Sequence, residues 1–195
     1  MRMRPVRTLG SLLAAGLAFG VLVAVIKGQD AGVRNALGNT SAPWVVVPFL
    51  AGMRSNTVWR GALLGIATTV TAFFGFYLAE AAILDLGPHP WYVDLKLTLG
   101  AVNVYEKWGL VSGSLYGALG ALWASRRLIA APIGVGLAFS AEPLIVLLLQ
   151  RAGVWGGCCL FDYSWMWIAE VLLGAATMAF VVVWTQTGLR RSTRN

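Results

Sequence analysis

The sequence is poor in charged residues, histidine and cysteine, and each shortage excludes a class of protein. Only 12% of its 195 residues are charged, whereas 58% are hydrophobic. Soluble domains average about 25% charged and about 45–50% apolar residues, so an ordinary soluble globular domain is excluded. Intrinsic disorder is excluded as well, because a chain this apolar does not stay solvated. The composition instead predicts an integral membrane protein.

The shortage of reactive side chains argues against most enzyme classes. His89 is the only histidine and falls in a predicted loop, so a zinc site built from several histidines is absent. Neither a P-loop nor a dinucleotide-binding fingerprint occurs. The stretch Gly109-Leu-Val-Ser-Gly113 offers a serine, but no predicted span carries the histidine that an intramembrane serine protease needs. We therefore expect no enzymatic activity, cofactor or metal, with a carboxylate-only site as the one enzymatic alternative.

The only two cysteines, Cys158 and Cys159, are adjacent in a predicted outer loop. Neighbouring α-carbons lie closer together than normal disulfide geometry requires, so a bridge between the two would be strained. Two free thiols and an intermolecular bond both remain open. A structural role, or none, is favoured over a redox function.

Long apolar stretches predict an all-α, polytopic bundle of six transmembrane helices in a single domain, 1–195. At roughly 20 apolar residues per span, the chain accommodates about six helices with short connections. One stretch is short and reaches span length only if its helix extends back towards Gly32, or if the segment is broken. The predicted spans are about 9–27, 40–53, 57–80, 108–125, 128–149 and 164–186, and the predicted outer loops are 28–41 and 87–106.

The distribution of charge predicts the orientation of the bundle. The side that holds both termini carries ten basic residues and no acidic one, whereas the other side holds five basic residues and all eight acidic ones. Short loops rich in Lys and Arg stay in the cytoplasm, so both termini are predicted to lie inside, in a bacterial plasma (inner) membrane. The net charge of +7 is thus a topology signal. The expected partner is the lipid bilayer, and no nucleic acid.

Small residues recur at four-residue spacing along several predicted helices. Gly109, Gly113 and Gly117 form a double GxxxG motif in the fourth span, and Ala14 and Ala18 give the first span a similar face. Such stripes let the backbones of membrane helices approach closely. Tight packing inside one bundle is the favoured interpretation, and docking of a partner subunit is the alternative. Shorter stripes of the same kind are Gly16/Gly20 and Gly61/Gly65.

Three glutamates in apolar stretches are the candidate ligand-binding carboxylates: Glu80, Glu142 and Glu170. An ionised residue at the centre of a bilayer costs about 2.5–3.5 kcal/mol, so such residues usually face protein or water. Each follows an aromatic residue by three positions, which places both side chains on one helical face. A carboxylate beside an aromatic ring suits an organic cation. The three pairs are Tyr77–Glu80, Phe139–Glu142 and Trp167–Glu170.

Glu142 and Glu170 lie on consecutive predicted helices joined by a short loop, each about 10 Å from the outer end of its span. Their proximity would favour a shared proton or a bound cation. The three glutamates and their aromatic neighbours are predicted to line an outward-facing pocket. Trp44 adds an aromatic ring to the mouth of this pocket. The alternative is purely interfacial, because aromatic belts and glutamates that reach the headgroup water give the same pattern.

Three segments resemble an uncharacterised family of small actinobacterial membrane proteins. They are Ser41-Ala-Pro-Trp-Val-Val-Val-Pro-Phe-Leu-Ala-Gly52, the Gly-rich stretch 109–123, and Ala138-Phe-Ser-Ala-Glu-Pro143. This resemblance extends over most of the chain and implies no particular activity.

In plan the chain also resembles the substrate-binding S-components of energy-coupling-factor vitamin transporters. Those proteins have six helices, inside termini, a long outer loop over an outward-facing pocket, and an Ala-x-x-x-Ala face for the energising module. Here residues 28–44 and Ala14/Ala18 take those places. The resemblance implies binding or transport of a small solute, which the glutamates and aromatic rings make cationic or aromatic. The alternative is a non-catalytic accessory or structural subunit of a larger membrane complex.

Overall fold

The computed structural model describes residues 5–28, 32–83, 90–93, 96, 103–153 and 163–192. Within these ranges the regular structure is entirely helical, so the predicted all-α class is confirmed. The helices that bear on the site are α1 (Pro5–Lys27), α2 (Val33–Gly38), α3 (Pro43–Gly52), α4 (Val58–Ile83), α5 (Asn103–Arg126), α6 (Ala130–Arg151) and α7 (Ser164–Ser192).

Four of these helices are long and apolar enough to cross a membrane. The qualifying stretches are Leu9–Lys27 of α1, all of α4, all of α6, and Ser164–Trp184 of α7. A helix of about 20 residues spans the hydrocarbon core, so these stretches support the predicted class of membrane protein. Helix α5 has 24 residues but contains many glycines and serines, and α3 has only 10 residues. Neither α3 nor α5 therefore qualifies by length and composition alone.

The segment that the sequence left open, as one helix or a broken one, is broken. Helix α2 ends at Gly38 and α3 begins at Pro43, with residues 39–42 between them. Pro43 stands in the first turn of α3. A proline is tolerated there because its missing N–H would have had no partner inside the helix. The predicted span 40–53 is therefore a short helix that follows an irregular connection.

Several helices extend beyond the limits that the sequence predicted, and α5 and α7 do so by the largest margin. Helix α5 begins at Asn103, so the last four residues of the predicted outer loop 87–106 are helical, and α7 continues to Ser192, past the predicted end at 186. A span is predicted from its apolar stretch, which covers only the part of the helix that lies in lipid. The backbone hydrogen bonds of a helix continue into the polar interface beyond it, which explains both differences.

Glycines allow α1 and α5 to contact α4 almost backbone to backbone. A Cβ atom built on Gly20 of α1 would lie only 1.8 Å from the carbonyl oxygen of Ala72 on α4. One built on Gly65 of α4 would lie 2.1 Å from the carbonyl oxygen of Gly113 on α5. A side chain at either glycine would force the helices apart, so α4 packs closely against both α1 and α5.

Helices α6 and α7 form a second unit, which packs mainly on itself. Gly136 and Gly174 face each other, and a Cβ atom on Gly174 would lie 2.5 Å from the carbonyl oxygen of Gly136. Contacts of α6 with α3 and α5 are fewer than its contacts with α7. The α6–α7 hairpin thus joins the rest of the bundle through a limited set of side chains.

Two apolar clusters are stacked along α6, and a glutamate lies between them. The first cluster joins α3, α5 and α6, whereas the second joins α2, α6 and α7. Phe139 belongs to the first cluster and Val146 to the second, and Glu142 falls between them on the same helical face. The members of the second cluster are Ala36, Val146, Met166 and Trp167, with Tyr163 packed against them.

Candidate functional site

The carboxylate of Glu142 binds the amino-terminal end of α3. The backbone N–H groups of Ser41 and Ala42 each donate a hydrogen bond to one of its two oxygens, at 2.5 Å. The side chain is only 7% exposed. The first N–H groups of a helix have no partner within it and carry partial positive charge, so a carboxylate is well suited to this position.

This contact explains how a helix can begin inside a membrane protein after an irregular connection. Ala42 offers no side-chain cap to α3. Unpaired backbone N–H groups in an apolar environment are costly, and irregular backbone at membrane depth is tolerated only where protein or a wet cavity covers it. The cap that supplies the partner comes from a residue about 100 positions away, Glu142. Sequence reasoning missed this role, because no local pattern around Ser41 points to Glu142.

Glu170 of α7 lies directly beside Glu142. Its side chain is 8% exposed and lies against the carboxyl group of Glu142. The Oε2 atom of Glu170 is buried and has no hydrogen-bond partner among the described residues. Ionised carboxylates only accept hydrogen bonds, so a bond between two carboxyl groups requires a proton on one of them. The structure therefore brings two of the predicted site residues together, and Oε2 of Glu170 has no described group that donates a hydrogen bond to it.

The pair lies between the two apolar clusters. Trp167, one turn before Glu170 on α7, packs with Ala36 of α2 in the second cluster. Phe139, the predicted aromatic neighbour of Glu142, packs in the first cluster with Val45 and other side chains of α3 and α5. The two aromatic residues that the sequence associated with these glutamates thus lie on opposite sides of the carboxyl pair.

Glu80, the third predicted glutamate, has a cationic partner. The ammonium group of Lys27, at the end of α1, forms an ion pair with Glu80 on α4. The same ammonium nitrogen lies 5.2 Å from the centre of the Phe76 ring, within the range of a cation–π contact. The partner described for Glu80 is thus Lys27, and neither of the other glutamates. Sequence reasoning missed this pair because Lys27 and Glu80 are 53 positions apart.

Trp44 and Tyr77, two further predicted site residues, belong to an aromatic cluster between α1, α3 and α4. The Trp44 ring lies 5.0 Å from that of Phe73, 5.3 Å from that of Phe19 and 5.7 Å from that of Phe76, measured between centroids. Tyr77 stacks against Phe73 at 6.2 Å. These separations are typical of favourable aromatic pairs. The rings pack against one another, and the Phe76 ring also contacts the ammonium group of Lys27.

The first turn of α3 touches both acidic regions. The N–H groups of Ser41 and Ala42 hold Glu142 on one side, and the ring of Trp44 enters the aromatic cluster beside Lys27–Glu80 on the other. Displacement of this turn would disturb both regions. The irregular connection between α2 and α3 is therefore a structural link between them.

Helix α2 is fastened to the end of α1. The guanidinium group of Arg34 donates hydrogen bonds to the carbonyl oxygens of Val25, at 2.7 Å, and Ile26, at 3.3 Å. The last carbonyls of a helix lack partners within it, so a basic side chain stabilises them. A Cβ atom on Gly38 would lie 2.6 Å from the α-carbon of Lys27, so only glycine fits there. These contacts hold Lys27 next to Glu80.

The predicted small-residue stripes have different surroundings. Gly109, Gly113 and Gly117 of α5 all face α4: added Cβ atoms would lie 2.2 Å from the Phe73 ring, 2.5 Å from the Thr69 hydroxyl and 2.3 Å from the Gly61 carbonyl oxygen, respectively. Ala14 and Ala18 of α1 are exposed. The glycine stripe thus packs inside the bundle, and the alanine stripe remains accessible on its surface.

Other predicted features lie outside the described residues. These include Cys158 and Cys159, His89, and most of the predicted outer loop 87–106. Within the described part of the chain, no group of three or more His, Cys, Asp or Glu side chains is arranged to hold a metal ion.

Comparison with known proteins places the chain in a family without assigning an activity. No curated protein and no solved structure matches it. A family model matches residues 1–191, almost the whole sequence, and its description is a family of unknown function, DUF6518. The chain therefore belongs to the DUF6518 family.

Proposed function

We propose that this protein binds a small cationic solute at Glu142 and Glu170 and takes part in moving it across a membrane. The observation that carries the proposal is the buried Oε2 atom of Glu170, which has no partner among the described residues and lies beside a second carboxyl group. A buried polar atom without a partner is costly, and intramembrane carboxyl groups commonly mark ion or substrate pathways. An ammonium or similar group would donate to this oxygen, and Trp167 nearby would suit a solute that also carries an aromatic ring.

We further propose that six segments cross the membrane, with both termini in the cytoplasm of a bacterial cell. The four qualifying helices would be joined by α5 and by the broken α2–α3 segment, in agreement with the distribution of basic residues in the sequence. Many transporters place their binding sites at broken helices whose ends meet polar groups within the membrane. The meeting of the α3 terminus with Glu142 is an arrangement of this kind.

A thermal-unfolding screen of the full chain in detergent tests the binding proposal. A ligand that binds only the native state raises the melting temperature by mass action, contributing about 2.7 kcal/mol at a hundredfold excess over Kd. We expect amines to raise the melting temperature more than neutral vitamins or zwitterionic amino acids do. Glu170→Gln is expected to abolish the rise, whereas Glu80→Gln, a matched substitution at the separate ion pair, retains it. An equal rise in both variants, or no rise with any amine, would contradict the proposal.

The second candidate is a non-catalytic accessory subunit, favoured by the exposed alanine face of α1. Ala14 and Ala18 are exposed, and nothing lies within 4 Å of a Cβ atom built on Gly10, one turn earlier. Small residues on an open helix face allow another membrane helix to approach closely. The resemblance in plan to transporter S-components gives such a partner a specific role, that of an energising module. In native membrane extracts, Ala18→Leu would then reduce the mass of the complex that contains this chain, without changing ligand binding.

A further inference from the structure

We propose that the Glu142–Glu170 pair holds one proton and that binding of a monovalent cation there displaces it into water. This inference rests on the proposed function and adds a linked ion to it. The exchange balances, because an ammonium solute binds as R–NH₃⁺, Glu170 passes from COOH to COO⁻, and the proton leaves as hydronium. One positive charge enters the site as one leaves, so the carboxyl pair together with its bound cation has the same net charge as the protonated pair alone.

The place of the proton follows from the hydrogen bonds of Glu142. Both of its oxygens accept bonds from backbone N–H groups, one from Ser41 and one from Ala42. Both oxygens of Glu142 thus act as acceptors at the amino-terminal end of α3. A proton held between the two carboxyl groups is therefore assigned to Glu170, whose buried Oε2 atom has no other described partner.

The charged groups that the structure describes on the neighbouring helices do not neutralise the carboxyl pair in place of this proton. Lys27, at the end of α1, is engaged with Glu80 of α4, and the guanidinium group of Arg34 on α2 donates to carbonyl oxygens of α1. Tyr116 of α5 donates to the carbonyl oxygen of Gly134, and Tyr163 packs against the second apolar cluster. The basic residues near the ends of α5 and α6 are exposed: Lys107, Arg126 and Arg151. Loss of the proton without a cation would leave two like charges in contact, at high cost.

Proton release on binding is measured with the purified full chain in detergent, using calorimetry in buffers of different ionisation enthalpy. The probe is phenethylammonium chloride, with 2-phenylethanol as its neutral analogue and methylammonium and sodium chlorides as smaller cations. We expect one proton to be released for each phenethylammonium bound. The Kd is then expected to fall about tenfold for each unit of increase in pH, over the range in which Glu170 holds its proton. The neutral analogue should release none.

The outcomes separate this inference from the proposed function. Binding of a cation to the wild-type chain without proton release, and with a pH-independent Kd, overturns the proton exchange and leaves the binding proposal standing. Absence of binding by all three cations at millimolar concentrations overturns both. Glu170→Gln, checked for folding by its melting temperature and elution volume, should release no proton with any probe. If this variant releases as many protons as the wild type, the assignment of the proton to Glu170 is wrong.

Discussion

Two acidic regions of this protein have the same residue pattern in sequence and opposite surroundings in the fold. Glu80 and Glu170 each follow an aromatic residue by three positions, near one end of an apolar helix. At the α1–α4 end, Glu80 meets the ammonium group of Lys27, so its charge is neutralised inside the protein. Between α6 and α7, Glu170 meets another carboxyl group and keeps one oxygen without a described partner. The comparison shows that the neighbour, and not the residue type, separates a structural carboxylate from a candidate ligand-binding one.

The packing around these two regions differs as well, and the largest effect we expect tests this difference. Gly65→Ala places a methyl group where only 2.1 Å separates it from the carbonyl oxygen of Gly113, so α4 and α5 must move apart. We expect a loss of more than about 3 kcal/mol of folding stability, beyond the usual range for overpacking. The measurement is the melting temperature in detergent. Gly134→Ala on α6 is the matched control, because its Cβ would only touch Leu119, at 3.4 Å. Equal stability of the two variants would show that α4 and α5 are not in close contact.

The next largest effect is expected from Glu142→Ala, which removes the cap of α3. The N–H groups of Ser41 and Ala42 would both lose their acceptor, and the N–H of Ala42, which is buried, would be left unpaired at a cost of about 1–3 kcal/mol. Trp44 lies in the same turn, so its fluorescence should change although the substitution is on α6. Hydrogen exchange at the amides of residues 41 and 42 measures the loss of the cap directly. Unchanged protection of these amides would contradict the described contact.

A smaller effect is expected from Glu80→Gln, which breaks the ion pair with Lys27. The two side chains are 12% and 21% exposed, so water partly screens the pair, and we expect a loss of about 1 kcal/mol. A double-mutant cycle with Lys27→Met isolates the interaction, because the second substitution should cost little once the first is present. Additive losses in the melting experiment would mean that the two side chains do not interact.

The smallest effect is expected from the same substitution in the other region, Glu170→Gln. A glutamine amide donates a hydrogen bond to Glu142 as the protonated acid does, so folding stability should change by less than about 0.5 kcal/mol. The same chemical change, Glu to Gln, is thus expected to lower folding stability in the region of Glu80 and to leave it almost unchanged in the region of Glu170. A marked loss of stability in Glu170→Gln, measured by thermal unfolding, would indicate that the ionised form of Glu170 is needed in the resting protein.

The sequence predicted much of the helical framework, because that framework depends on local composition. Apolar runs of span length mark α1, α4, α6 and α7, and these are the helices that qualify as candidate membrane spans. The helix ends were less predictable: α5 starts at Asn103, within the predicted outer loop 87–106. The break before Pro43 was one of two alternatives, and it could not be chosen from sequence because its stabilising partner is distant in the chain.

The candidate site was predicted in part. The three glutamates were identified by the cost of placing carboxyl groups in an apolar helix, which is a local argument. Their grouping was not predicted: Glu142 and Glu170 are in contact, whereas the described partner of Glu80 is Lys27. Phe139 and Trp167 share a helical face with their glutamates but pack in separate clusters. A shared face tells which side chains point the same way, and it does not tell what lies opposite them.

By itself, the sequence determined that this chain is apolar, helical and suited to a membrane, because hydrophobic length and charge content act on each segment separately. Only the tertiary structure decided which carboxyl group caps α3, which one pairs with a lysine, and which one retains an oxygen without a described partner. Those outcomes depend on contacts between residues that lie on different helices and far apart in the sequence, and the electrostatic state of a buried group is set by such contacts.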